Sequence, residues 1–225
     1  MDLTTTKPVI ISCGAGGWYP AGIDRLERTL NYNGWAGDML LFKDYPEGCP
    51  HHSGRGQYNF KVYMFNEAFR RGYKVVLWLD SSFYAIKDPM PIMDYINENG
   101  LYFFKSGYPL SATATDDLLM GRLRENFLDV PEFATGAIGI NIDNPKGASF
   151  FSGWERLMQS GYFGGNRVHD ERDSKHTLFQ FSRQDQSAAS MVLHGMKITT
   201  AGEDKNWISY YPNETEKTIF FIKGM

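Results

Sequence analysis

Cysteine is nearly absent from this 225-residue sequence, in which Cys13 and Cys49 are the only two. Two cysteines are too few for a disulfide framework or for a zinc site built on thiolates. A basic excess is also missing, since Lys and Arg number 23 against 26 Asp and Glu. Surfaces that bind nucleic acid usually carry clustered positive charge. The composition therefore argues against a disulfide-stabilised scaffold and against a nucleic-acid partner.

Long hydrophobic runs are lacking as well. The apolar run Val75–Leu79 is far shorter than the roughly 20 residues that span a bilayer. The first residues, MDLTTTKPVIIS, have neither the basic start nor the apolar stretch of a signal peptide. We therefore expect no transmembrane segment and a cytoplasmic location. The length and the 42% apolar content suit a single domain over residues 1–225.

Short apolar stretches alternate along the chain with stretches whose apolar residues recur at helical spacing. The expected strands cover 7–12, 38–42, 74–80, 101–104, 135–142 and 217–222. The expected helices cover 21–34, 58–72, 88–100, 115–127, 144–161 and 184–195. This alternation predicts an α/β domain with a central, mainly parallel sheet flanked by helices.

A glycine-rich loop, GAGGWY at residues 14–19, follows the first expected strand. It begins like the dinucleotide-binding fingerprint, but Tyr19 stands where the third glycine is required. An NAD-dependent oxidoreductase is therefore the less favoured interpretation. A loop whose backbone amides and whose Trp18 or Tyr19 face a nucleotide is the favoured one. An ordinary flexible turn is the third alternative.

Asp80 ends the most apolar expected strand and is followed by Ser81 and Ser82. Ligands of open α/β sheets collect beyond the carboxyl ends of the strands, which is where Asp80 is expected. Mg²⁺ is commonly held by one or two carboxylates together with substrate phosphates. Asp80 and the hydroxyl of Ser82 could therefore hold a metal, although an aspartate at a strand end is also a common turn residue.

Several segments taken together resemble the nucleotide-sugar-dependent glycosyltransferases of the GT-A fold. In FKVYMFNEAFRRGYKVVLWLDSS, Lys61 matches the helix lysine near the donor phosphates and Asp80 matches the first acid of the Asp-x-Asp motif. FATGAIGIN at 133–141 is similar to the strand beside the donor sugar, and SRQDQSAASMVL at 182–193 to the Asp-Gln-Ser segment that opens a late helix. The sequence departs from the family in having Asp-Ser-Ser for Asp-x-Asp and in lacking a terminal His-x-x-Gly-x-x-Lys-Pro-Trp segment.

The resemblance implies a GT-A-like, Rossmann-type fold with a donor nucleotide-binding part at about 7–110 and an acceptor side at about 111–225. It implies transfer from a UDP-sugar, a UDP-hexose above all, to a carbohydrate or glycoprotein acceptor, with Mn²⁺ or Mg²⁺. The compact transferases of large DNA viruses are one such group, and for a viral chain the location would be the host cytoplasm. A nucleotide-sugar-binding protein without catalysis is the alternative that the incomplete Asp-x-Asp leaves open.

The resemblance also implies a set of site residues. Asp185 is the expected base or acceptor contact, and Asp80 the second catalytic residue. The expected donor-binding residues are Ser12, Cys13, Gly14, Lys61, Asp80, Ser81, Ser82, Gly136 and Gln186. The expected metal ligands are Asp80 and Ser82, with His194 as a further candidate. His51, His52 and the group His169, Asp170 and Glu171 are weaker candidates for phosphate or metal contacts.

Overall fold

The computed structural model describes residues 7–51, 58–163 and 174–224. The strands are β1 (Val9–Cys13), β2 (Asp38–Phe42), β3 (Val75–Leu79), β4 (Phe83–Ala85), β5 (Leu101–Pro109), β6 (Pro131–Asn141), β7 (Ile208–Tyr210) and β8 (Phe220–Ile222). The helices are α1 (Tyr19–Tyr32), α2 (Asn59–Arg70), α3 (Met90–Asn99), α4 (Leu110–Thr113), α5 (Asp116–Leu119), α6 (Pro145–Gln159) and α7 (Gln184–Gly195). Short 3₁₀ turns cover Arg124–Phe127 and Glu203–Lys205.

The central sheet has five strands in the order β2-β1-β3-β6-β5. Strands β2, β1 and β3 are parallel, whereas β6 runs antiparallel to both β3 and β5. Four strands therefore point one way and β6 points the other. The predicted α/β fold with a helix-flanked sheet is confirmed, and the sheet is mixed because β6 is reversed.

Both faces of the central sheet are buried, which explains its uninterrupted apolar strands. On β1, Val9 and Ile11 face a core with residues of α2, α6 and α7, while Ile10 faces a second core with residues of α1 and α3. Strands β4, β8 and β7 form a small second sheet, in which the expected C-terminal strand pairs with β4. No helix within the described ranges combines the length and the hydropathy needed to cross a membrane.

The expected helix at 115–127 is wrong. Thr115 caps α5 as predicted, since its hydroxyl accepts from Leu118 N, but the helix ends at Leu119. Met120 and Gly121 both have positive φ, 52° and 74°, a conformation that does not continue a right-handed helix. The apolar spacing of this segment is helical, but the backbone reverses at Met120.

The carboxyl ends of β1 and β3 lie side by side at one edge of the sheet because the two strands are parallel neighbours. The turn after β3 begins at Asp80, whose N–H donates to Gly136 O on β6 at 2.8 Å. Phe83 N closes that turn by donating to Asp80 O at 3.0 Å. The fold therefore fixes the Asp80 backbone between β3 and β6.

Candidate active site

A cleft of about 670 Å³ opens at the carboxyl edge of β1 and β3. Its lining combines the glycine loop, the loop after β2, the start of α2 and the turn after β3. The lining residues are Cys13, Gly14, Ala15, Gly16, Trp18, Tyr19, Asp44, Tyr45, His51, Tyr58, Phe60, Lys61, Asp80, Ser81 and Ser82. Six of the nine expected donor-binding residues lie in this cleft, namely Cys13, Gly14, Lys61, Asp80, Ser81 and Ser82.

A buried lysine lies at the base of the cleft. Lys61 Nζ donates to Thr135 O at 3.0 Å and lies 3.2 Å from both Asp80 Oδ1 and Asp185 Oδ2. The rings of Tyr58 and Trp78 flank the same nitrogen, with their centroids at 5.2 and 5.7 Å. An ammonium group has three N–H donors, so these three oxygens use its whole donor capacity.

The two carboxylates determine the charge state of Lys61. Burial by itself disfavours the ammonium, but Asp185 and Asp80 more than offset it and raise the pKa of Lys61 above its ordinary value. Lys61 is therefore charged throughout the physiological range. One ammonium and two carboxylates leave the group with one net negative charge when both acids are ionised.

Asp185 lies in the first turn of α7, where the helix dipole favours a negative charge. Its Oδ2 accepts from the Thr135 hydroxyl at 2.7 Å as well as facing Lys61. Its backbone carbonyl accepts from Trp154 Nε1 at 3.0 Å. The side chain is only 4% exposed, and among the described residues no partner contacts Oδ1. The aspartate is thus fixed on three sides, with one oxygen left for a ligand.

Gln186 is committed to protein contacts. Its Nε2 donates to Glu132 Oε2 at 2.6 Å, and its Oε1 accepts from Thr135 N at 3.3 Å. Glu132 is itself fully buried and also accepts from Ser187. Gln186 therefore ties α7 to β6 behind Asp185, which is a positioning arrangement and leaves few atoms for a sugar.

Asp80 presents one oxygen to the cleft. Oδ1 accepts from Trp78 Nε1 at 2.8 Å and faces Lys61, while Oδ2 has no partner within the described ranges. Gly136 gives that oxygen space, since a Cβ there would lie 3.4 Å from Oδ2 and 3.2 Å from the Phe83 ring. Desolvation in the cleft raises the pKa of Asp80, against the opposing effects of Lys61 and the Trp78 hydrogen bond.

A divalent metal fits this donor set only together with a ligand. Asp80 Oδ2 and the Ser82 hydroxyl are hard oxygen donors that suit Mg²⁺ or Mn²⁺. Among the described residues, no group of three or more His, Cys, Asp or Glu side chains is placed to hold a metal. Substrate phosphates and water would have to fill the remaining coordination positions.

Five of the expected residues do not line the cleft, namely Asp185 and Gln186, whose contacts are described above, and Ser12, Gly136 and His194. Ser12 is fully buried behind it and donates to Leu79 O. His194 lies at the far end of α7, nine residues beyond Asp185 and about 13 Å along the helix axis. Its ring contacts Phe127 at 5.5 Å. Gly136 lies on β6 beside the cleft. Its carbonyl accepts from Asp80 N, and its lack of a side chain leaves space for Asp80 Oδ2.

The weaker histidine candidates have different outcomes. His51 lines the cleft and stacks on Tyr45, with ring centroids 4.8 Å apart. His52 and the group His169, Asp170 and Glu171 lie outside the described residues.

An aromatic group forms one wall of the cleft. Tyr45 contacts Phe60 edge to face at 5.6 Å, and Trp18 contacts Tyr19 at 4.7 Å. Tyr58 completes the wall, and burial followed by the nearby Asp185 raises its pKa to about 12. Flat aromatic rings beside a carboxylate suit a ligand that has both an aromatic base and a charged end.

The two cysteines are neutral at physiological pH. Burial raises the pKa of Cys13 to about 12 and that of Cys49 to about 11. Both thiols are free. A thiol needs a lowered pKa to act as a nucleophile or metal ligand, so Cys13 serves as a part of the cleft wall.

Sequence patterns do not identify Thr135, Tyr58 or Tyr45 as site residues. Thr135 contributes through its carbonyl and its hydroxyl, and a single threonine in a strand gives no signal of its own. Tyr58 was expected as the first residue of the lysine helix, whereas the helix begins at Asn59 and Tyr58 lies just before it. The aromatic content around it was a visible signal that could have indicated a stacking wall.

No protein-family profile matches the sequence, and no curated protein matches it significantly. Solved structures do match its fold. The WbbM bifunctional glycosyltransferase matches over 98% of this chain with a TM-score of 0.55 and 14% identity. The chain spans 46% of the length of that protein. Mouse xyloside xylosyltransferase 1 matches over 95% of this chain and 96% of its own, with a TM-score of 0.55 and 9% identity.

A third structure is a glycosyltransferase involved in the glycosylation of the major capsid of PBCV-1. It covers 96% of this chain and 92% of its own at 12% identity, with a TM-score of 0.45. The first two matches extend over almost the whole of this chain, 98% and 95% of it. The chain therefore has the GT-A type α/β fold of these glycosyltransferases.

Proposed function

We propose that this chain is a glycosyltransferase that moves a sugar from a nucleoside diphosphate to a hydroxyl of a carbohydrate or glycoprotein acceptor. The observation that carries the proposal is the Lys61 ammonium held between Asp80 and Asp185 at the base of an aromatic-lined cleft. Such a cleft offers an aromatic wall for a base and polar groups for a diphosphate. A UDP-hexose is the proposed donor, by the sequence resemblance.

Asp80, through Oδ2, and Ser82, through its hydroxyl, are the residues that would hold Mn²⁺ or Mg²⁺ together with the donor diphosphate. When bound, the metal would neutralise charge that develops on the leaving diphosphate. Lys61 is a positioning residue in this scheme, because its three donors are already used within the protein.

The reaction breaks the bond between the anomeric carbon and the phosphate oxygen, and the electron pair leaves with the diphosphate. A new bond forms between the anomeric carbon and the acceptor oxygen, and the acceptor hydroxyl proton must go to a base. Asp185 Oδ1 is the proposed base or acceptor contact. Thr135 and Lys61 hold the other oxygen of the same carboxylate and so fix its direction.

Calorimetry with UDP, with and without Mn²⁺, tests the donor site, with NAD as the comparison ligand. We expect UDP to bind more tightly with Mn²⁺ and NAD not to bind. Binding of NAD without UDP would overturn the proposal in favour of an oxidoreductase. A second assay measures release of UDP from UDP-hexoses, because a protein that binds donor but releases none would be a binding protein and not a transferase.

A further inference from the structure

Lys61 is the only lysine or arginine that lines the cleft within the described residues. It is also saturated, since Thr135 O, Asp80 Oδ1 and Asp185 Oδ2 accept its three donors. Turning it toward a phosphate would break two ion pairs, of which the one with Asp185 is buried on both sides. A diphosphate that enters this cleft therefore meets a group with net negative charge and needs a second cation from the protein or from a metal.

Arg183 does not itself line the cleft, but it lies one contact away from the Lys61 group and is a cation of the protein that could reach a bound diphosphate. It immediately precedes α7 and is half-buried. Its NH2 group donates to Gln186 Oε1 at 3.3 Å, and Thr135 N donates to the same oxygen at 3.3 Å. The guanidinium of Arg183 and the backbone N–H of Thr135 thus donate to the same oxygen. That oxygen, Gln186 Oε1, connects Arg183 to the group formed by Lys61, Thr135 and Asp185.

The guanidinium is fixed but not neutralised. Its central carbon lies 5.7 Å from the centroid of the Phe181 ring, and Tyr108 contacts that ring edge to face at 4.9 Å. No carboxylate of residues 7–51, 58–163 or 174–224 forms an ion pair with Arg183, and Gln186 Oε1 accounts for only one of its nitrogens. The other donors of the planar fork are left for a ligand.

The charge of Arg183 acts on the cleft itself. Tyr58 lines the cleft, and the positive charges of Lys61 and Arg183 both oppose the rise that burial and Asp185 impose on the pKa of its hydroxyl. Arg183 is therefore close enough to Tyr58 for its charge to act on a residue of the cleft.

The turn that carries Arg183 is strained. Gln184 has a φ of 38°, which costs a non-glycine residue about 1–3 kcal/mol and is found mainly at functional sites. Gln184 is 3% exposed, and its Nε2 has no hydrogen-bond partner among the residues that the structure describes. A buried amide donor without a partner in the same turn is a second sign that this segment is shaped for a ligand.

We infer that Arg183 binds the diphosphate of the donor and stabilises it as it leaves. Lys61 is not free for this role, because its three donors face oxygens of the protein. The ligand chemistry is a phosphate anion, and the planar fork of arginine suits two phosphate oxygens at once. This inference rests on the proposed function, since it concerns the same donor.

Calorimetry of the full chain separates the phosphate contact from the rest of the donor. The ligands are UDP, uridine and inorganic pyrophosphate, and the variants are Arg183→Gln and Arg183→Lys. The matched control is Arg156→Gln, an exposed arginine on α6 whose side chain has no hydrogen bond or ion pair within the described ranges. Thermal melting of each variant verifies that it folds.

We expect Arg183→Gln to weaken UDP and pyrophosphate binding about tenfold or more and to leave uridine binding unchanged, the size of one lost charge-assisted contact. The affinity of Arg183→Lys for UDP and pyrophosphate should lie between those of the wild type and Arg183→Gln, because lysine retains the charge but lacks the planar guanidinium. Arg156→Gln should behave as the wild type. Unchanged UDP binding by Arg183→Gln, or an equal loss for UDP and uridine, would overturn the inference.

Pyrophosphate keeps this test independent of the proposed function. A wild type that binds pyrophosphate in an Arg183-dependent way but not UDP would support the anion site while contradicting the UDP-sugar proposal. A wild type that binds neither ligand, with or without Mn²⁺, overturns both.

Discussion

Lys61 Nζ on α2 lies 3.2 Å from Asp185 Oδ2 on α7, and the two side chains are only 3% and 4% exposed. The two residues come from opposite halves of the chain, so this contact joins the part that follows β2 to the part that follows β6. Asp80 completes the group at 3.2 Å from the same nitrogen. One buried ion group therefore holds together the segments on which the proposed donor and acceptor sites depend.

Replacing Lys61 by Met should destabilise the fold by about 3–5 kcal/mol, because it leaves two carboxylates near each other without their cation. Denaturant unfolding at neutral pH measures the change. Lys74→Met is the matched control, since Lys74 pairs with Asp143 at 3.1 Å with both side chains well exposed. The Lys74→Met substitution should lower the free energy of unfolding by less than about 1 kcal/mol. Equal losses in the two variants would show that the buried group does not stabilise the fold.

Asp80→Asn should stabilise the fold at neutral pH while abolishing metal-dependent UDP binding. The pKa of Asp80 is raised by desolvation, so the folded chain holds its proton more tightly than the unfolded chain does. The ionised form therefore lowers the stability of the fold at any pH above the raised pKa. Below the ordinary aspartate value of about 3.9, the group is protonated in both states and this penalty disappears.

The check is a series of melting temperatures between pH 7 and pH 3.5 for wild type and Asp80→Asn. The variant should melt higher at pH 7, and the gap should close as the pH falls. A gap that stays constant with pH would mean that ionisation of Asp80 is not its cause. Retained Mn²⁺-dependent binding of UDP by the variant would remove Asp80 from the metal site.

Gly136→Ala should impair donor binding more than it impairs folding. The added Cβ would lie 3.2 Å from the Phe83 ring, a tight contact, and would place a methyl group against Asp80 Oδ2 at 3.4 Å, so it would cover the oxygen of Asp80 that has no protein partner among the described residues. We expect about 1–3 kcal/mol of destabilisation from the tighter packing and a clear loss of UDP affinity in Mn²⁺. Gly195→Ala is the control, because no atom lies within 4 Å of a Cβ there. Normal UDP affinity in Gly136→Ala would contradict this assignment of Oδ2.

The sequence was sufficient to predict the α/β fold and the grouping of Lys61 with Asp80 in one cleft. The fold and the position of Asp80 at a strand end follow from local patterns of apolar residues, whereas the grouping of Lys61 with Asp80 follows from the resemblance to the GT-A glycosyltransferases. The reversed direction of β6 is not visible, because a strand buried on both faces has the same composition in either orientation. The break at Met120 is equally hidden, since the helical spacing of apolar residues continues through it.

Contacts across the fold account for the rest of the site. Thr135 reaches Lys61 through a backbone carbonyl, which every residue has, and Arg183 owes its position to the packing of Phe181 and Gln186. His194 was expected as a further metal ligand, but it lies in the last turn of α7, at the other end of the helix from Asp185, and does not line the cleft. The direction of a helix relative to the sheet edge, and not its sequence, decides which of its ends meets the ligand.

Ser82→Asp should restore a second carboxylate at the position where the Asp-Ser-Ser turn lacks one. The affinity of an oxygen site for a divalent ion rises with the number of charged ligands, so UDP should bind about tenfold more tightly in Mn²⁺. In EDTA the same change should weaken UDP binding, because it adds a negative charge beside the diphosphate. Ser152→Asp, an exposed position on α6 outside the cleft, makes the same change in charge and should alter neither value.

The two conditions together determine what Ser82 does. Tighter binding in Mn²⁺ with weaker binding in EDTA would place Ser82 at the metal, as the cleft lining suggests. Weaker binding in both conditions would place Ser82 against the phosphates without a metal between them, and Arg183 would then be the main cation of the leaving group. Unchanged binding in both would remove Ser82 from the donor site, and Asp80 would remain as the one acidic ligand of that turn.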